Sequence, residues 1–95
     1  MSFVDKVKQM VEYAKEHKLL LLVSEIRYAL AGIPDEITEE YISFPAGSIE
    51  IGSTGKLGEY PDEWEKNPYP KIVLRSSMCF VEFIKDPTQD PKRKK

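Results

Sequence analysis

Apolar residues recur at helical spacing at the start of the chain. Phe3, Val4, Val7, Met10, Val11 and Ala14 fall on one stripe, and charged residues occupy the other side. Ser2 followed three residues later by Asp5 resembles a capping box with Asp in place of Glu or Gln. The serine oxygen can accept from a first-turn amide that has no intrahelical partner. The pattern predicts a helix that starts behind Ser2 and ends near His17 or Lys18.

The next stretch, LLLLVSEIRYALAGIP, fits two structures. Its four leucines and a valine could form a buried strand. Yet Leu19, Leu22, Val23, Ile26, Ala29 and Leu30 continue a 3.6-residue period, and Gly32 followed by Pro34 is a helix stop. Leucine also favours helices over strands. The expectation is a second helix over Leu19–Ala31, packed on the first.

Beyond Pro34 the texture changes. PDEITEEY could supply one helical turn or two. In SFPAGSIEIGSTGKLGEY, Ile49 and Ile51 alternate around Glu50, and four glycines mark turns, with a bend expected near Ser53–Lys56. Glu59–Pro70, with Pro61, Pro68 and Pro70, reads as a long loop, a type that tends to be functional or disordered. Ile72–Leu74 and Met78–Ile84 are rich in β-branched and aromatic residues without clean alternation. That suits a strand buried on both sides and interrupted by Arg75, Ser76 and Ser77. A helix bounded by Pro70 and Pro87 is the rival. Together these segments predict an α+β domain, with two N-terminal helices on a small antiparallel sheet whose strands lie near 41–44, 48–52, 56–60 and 71–84. The domain would cover residues 1–87, and residues 88–95 would form a flexible, disordered basic tail ending in Lys92-Arg93-Lys94-Lys95.

Composition narrows the setting. Ninety-five residues with 41% hydrophobic content make one domain able to fold without staples. The single cysteine, Cys79, cannot form an internal disulfide, which favours a reducing compartment. Asp5, Lys6 and Lys8 interrupt any signal-like start, and the longest apolar run, Leu19–Val23, is too short to cross a bilayer. A soluble cytoplasmic protein with no membrane contact is expected.

Charge is unevenly spread. The net value is −2, but residues 35–65 hold nine acids against one base, Lys56, for a local −8. Such a middle attracts a basic partner and repels a phosphate backbone, so nucleic acid is not the expected ligand. The four-base tail could add only a salt-sensitive attraction.

Candidate chemistry is sparse. Cys79 lies in the most apolar window, where a free cysteine acts as a small hydrophobe rather than a nucleophile. One cysteine and one histidine, His17, cannot complete a zinc site without an unusual set of carboxylates. Gly52-Ser53-Thr54-Gly55-Lys56 has the wrong spacing for a phosphate loop, and Leu57 follows the lysine. Adjacent acids such as Glu39/Glu40 or Asp62/Glu63 rarely give the split pKa values that paired carboxylate catalysis needs. No enzyme and no cofactor is expected.

What remains is a surface. Tyr60, Trp64 and Tyr69 share the proline-rich loop with Asp62 and Glu63. Aromatic anchors dominate interface energetics, and prolines reduce the ordering cost of binding. The expectation is a non-enzymatic protein-protein interaction module, an accessory subunit or a regulator or inhibitor. It would bind a protein with a basic surface through Tyr60, Asp62, Glu63, Trp64 and Tyr69. The competing role for Trp64 is a lid on the core, in which case the acids around Glu39 and Glu40 are the next candidate. The alternative function is a nucleic-acid-binding regulator that uses the helical pair, a hairpin wing and the basic tail.

Overall fold

The computed structural model describes residues 2–53, 60–61 and 63–91. The first helix, α1 (Phe3–Glu16), forms as its cap and periodicity dictate. Ser2 Oγ accepts from Asp5 N at 3.1 Å, and Val7, Val11 and Ala14 are buried. At the far end Lys18 takes a positive φ of 56°, the left-handed turn that commonly closes a helix and usually falls to glycine.

The second helix does not form. Leu19–Ala31 is instead a hairpin of β1 (Leu19–Glu25) and β2 (Ala29–Gly32), closed by a backbone bond from Glu25 N to Tyr28 O. Tertiary position overrides the helical preference of leucine here, because β1 is an interior strand, hydrogen-bonded on both sides. Its partners are β2 and β8 (Met78–Lys85). Leu21 and Val23 enter one apolar cluster while Leu22 enters the other, so both faces of the strand are covered. That double burial erased the alternation that would have marked a strand.

The remaining strands are β3 (Glu36–Ile37), β4 (Tyr41–Phe44), β5 (Ile49–Ser53), β6 (Glu63–Lys66) and β7 (Lys71–Leu74). All strand pairs are antiparallel. They make a five-stranded sheet in the order β6-β5-β2-β1-β8 and a three-stranded sheet in the order β3-β4-β7. The α+β class is therefore as expected, with one helix among the described residues rather than two. PDEITEEY contributes the short strand β3 rather than a helical turn. Residues 71–84 are strand, as expected, but split by a 3-10 turn at Arg75–Ser77 into two strands that serve different sheets. The strand expected at 56–60 and the bend near Ser53–Lys56 fall largely outside the described residues.

The main core lies between the two sheets and α1. Val7 and Val11 meet Leu21, Val23 and Leu30 of the large sheet and Ile42, Phe44 and Val73 of the small one. Burying each such side chain contributes about 1.5–3 kcal/mol. A second cluster, on the opposite face of the large sheet, gathers Leu22, Ala29, Ala31, Ile49, Ile51 and Ile84, with Leu20 and Trp64 packed against it. The chain passes from small sheet to large through Pro45–Ser48, where Gly47 has φ 97°, a conformation that needs glycine. Buried Asn67 pins this crossing: its side chain donates to Ser48 Oγ at 3.1 Å, and its backbone bonds both Gly47 and Ser48. Pro87 and Asp90 are buried as well, so the packed body reaches residue 90.

Candidate interaction surface

Of the residues expected to meet a partner, the four that are described, Tyr60, Glu63, Trp64 and Tyr69, differ in burial and surroundings. Trp64 sits on β6 with its indole packed against the second core cluster, and its buried Nε1 has no hydrogen-bond partner among the described residues. This is the lid role. Tyr60 is half-buried, with the Lys85 ammonium 5.5 Å from its ring centre. Glu63 is exposed on β6, and Asp62 lies outside the described residues. Glu59–Pro70 is thus not a free loop, because β6 occupies its centre and pairs with β5. Tyr69 is the aromatic member that faces solvent, 57% exposed. Beside it Lys71 lies 5.4 Å from the Tyr69 ring and 5.7 Å from the Tyr28 ring, and is paired with Glu50 at 3.7 Å. Burial, then the neighbouring Glu25, raises the Tyr28 phenol above its ordinary value.

Cys79 is not a core residue. It stands exposed near the start of β8, where a register irregularity breaks the ladder with β1 at Ser24/Glu25. The sequence identified the strand correctly but could not show that it lies at the edge of the sheet. His17 is remote from it, because Leu19 pairs with Lys85 at one end of β8 while Glu25 pairs with Met78 at the other. Six residues of strand put roughly 20 Å between those ends. His17 is instead stacked on Tyr13, with ring centres 3.9 Å apart.

A cavity of about 260 Å³ opens between the Pro45–Ser48 crossing and Thr88. Its carboxylate and serine hydroxyl are already engaged: Asp86 Oδ1 accepts from Thr88 N and Thr88 Oγ1, and Ser48 Oγ accepts from Asn67. Among the described residues no group of three or more His, Cys, Asp or Glu could hold a metal ion. Among the same residues no helix is long and apolar enough to cross a membrane.

The feature that stands out is the outward face of the small sheet. Tyr41 pairs with Leu74, Ser43 with Ile72, and Glu36 with Ser43, so these five residues share one face. The residues between them, Ile42, Phe44 and Val73, fill the core. Ile72 and Leu74 are 56% and 53% exposed, and Tyr41 beside them is half-buried. Acids surround this strip. The Tyr41 hydroxyl donates to Glu36 Oε1 at 2.7 Å, and that bond leads the causes that raise its pKa. At one end Glu39 and Glu40 line an open depression with Leu74, Arg75 and Ser76. Asp35 lies next to Glu36, its amide bonded to Ser43 O. The sequence carried a signal for this patch. Ile72, Val73 and Leu74 are apolar on both faces of their strand, and β7 then takes a sheet edge with one face uncovered.

Compared with protein-family models, curated proteins and solved structures, the chain matches none.

Proposed function

We propose that this chain is a non-enzymatic protein-protein interaction module, an accessory subunit or regulator rather than a catalyst. The observation that carries this is the contiguous apolar strip of Tyr41, Ile72 and Leu74 on the outer face of the small sheet. Single exposed apolar residues are ordinary on any surface, whereas adjacent ones rimmed by charge mark contact sites. Tyr69, two residues before β7, adds an exposed aromatic ring near the start of the same strand. Trp64 contributes to the scaffold instead.

The nucleic-acid alternative loses its main support with the second helix. Its helical pair is α1 plus a hairpin, and the acids that rim the strip repel phosphate. A cytoplasmic setting suits an exposed thiol in a chain with no second cysteine.

The test is affinity capture of the tagged full chain from native lysate, with and without nuclease. The expected result is the same saturable protein partner in both arms. Loss of the captured protein after nuclease, or no specific capture at all, overturns the proposal.

A further inference from the structure

Resting on that reading, we infer that the outward face of the three-stranded sheet docks a basic, apolar segment of a different protein. Three features define what fits. The first is shape: Ile72 and Leu74 project from one strand two residues apart, about 7 Å. A complementary segment presents apolar side chains at similar spacing. The second is charge. Glu36 borders the strip on the β3 side, with Asp35 next to it in the chain, and Glu39 and Glu40 close one end. Among the described residues Asp35, Glu36 and Glu40 make no ion pair, whereas Arg75 is held at 2.7 Å by Glu39 and stacked 4.3 Å over the Phe3 ring. The surface therefore presents an uncompensated acidic rim to whatever covers it. Lysines or arginines flanking the apolar side chains would meet Glu36 from about 10 Å away across two strand spacings.

The third feature excludes the commonest occupant. A second copy docked through the same face would bring its own Asp35, Glu36 and Glu40 against these, and like-charge juxtaposition across an interface costs several kcal/mol. Strand addition at β8, one edge of the large sheet, is discouraged differently. Strand β8 carries a ladder irregularity and the charged residues Glu82 and Lys85, which are devices that discourage edge pairing. The outer face of the small sheet has no such guard in its centre.

The experiment compares capture by the full wild-type chain with capture by two double variants, each checked for unchanged thermal unfolding. Ile72→Thr with Leu74→Thr keeps β-branched or strand-compatible residues at exposed sites, so folding should be retained, and affinity for the captured protein should fall at least about tenfold, the loss of one buried anchor. Asp35→Lys with Glu40→Lys should slow association and flatten its salt dependence. A synthetic peptide copying a basic, apolar segment of the captured protein should compete with it. If the captured protein binds both variants like wild type, the docking face lies elsewhere while the interaction-module reading stands. If the wild type captures nothing, that reading itself falls and takes this one with it. A concentration-dependent dimer in sedimentation, abolished by the threonine pair, would make the occupant a second copy and overturn the inference. So would a bound species released by nuclease.

Discussion

Tyr41 stands directly opposite Leu74 in the ladder between β4 and β7, and the two side chains share the outward face of the small sheet. The pairing brings together residues from separate acidic and apolar segments of the chain. It also sets the Tyr41 hydroxyl within 2.7 Å of Glu36, so an apolar ring, a carboxylate and an exposed leucine form one patch. The proposed docking face rests on that juxtaposition more than on any single residue type.

The hydrogen bond from Tyr41 to Glu36 makes a pH-dependent signature. It raises the phenol above its ordinary value of 10.0, as burial does for Tyr28. For a group whose folded pKa is raised, the associated stability is present below the ordinary value and is lost as pH climbs through the raised one. Alkaline titration followed by tyrosine ring NMR should show Tyr41 ionising late, and Glu36→Gln should bring it back down. An unshifted Tyr41 in the wild type would remove the bond from the solution structure.

Cys79 should react quickly in the native protein. It is exposed on β8, so a thiol reagent needs no unfolding to reach it. Labelling should be stoichiometric without denaturant, and Cys79→Ser should change stability by no more than about 0.5 kcal/mol, as for other surface sites. Slow labelling that accelerates only on unfolding would place this end of β8 inside the fold.

Trp64 should matter to stability. Its ring packs against the second cluster, which includes Leu22, Ile49, Ile51 and Ile84, so Trp64→Ala should cost about 3 kcal/mol in urea unfolding. Trp64→Phe should cost far less, because it retains most of the apolar area and removes an indole N–H that has no partner among the described residues. Equal and small losses for both would return Trp64 to the list of contact residues.

Lys18 offers a stabilising change. Its φ of 56° is costly for any side chain with a Cβ, and it sits just past the His17 cap where glycine is favoured. Lys18→Gly should raise stability by about 1 kcal/mol or somewhat less, since glycine also frees the unfolded chain. A loss of stability would show that the turn relaxes in solution.

Local chemistry made some of this fold legible. Ser2, Asp5 and the Val7–Val11–Ala14 stripe announce α1, and alternation around Glu50 announces Ile49–Ile51. The β1–β2 hairpin was illegible for two reasons. Leu19–Val23 is buried on both faces and so shows no alternation, and the turn rests on Ile26 and Arg27 rather than on the Asn or Gly that mark tight hairpins. The strand character of residues 71–84 was legible but its place in the sheets was not, because an apolar strand reads alike at the centre and at an edge. This is why Cys79 reads as buried from sequence, and why Ile72 and Leu74 read as core rather than surface. Trp64 presents the reverse case: among prolines and acids it reads as loop, yet β6 carries it onto the second cluster.

The most direct measurement of the docking claim is methyl NMR of the isoleucine- and leucine-labelled protein titrated with its captured partner. Ile26, 79% exposed at the β1–β2 turn and apart from the strip, serves as the internal control. The methyls of Ile72 and Leu74 should shift or broaden saturably while Ile26 stays unchanged. Perturbation of Ile26 with Ile72 and Leu74 unmoved would contradict the assignment of the outer face of the small sheet as the binding surface.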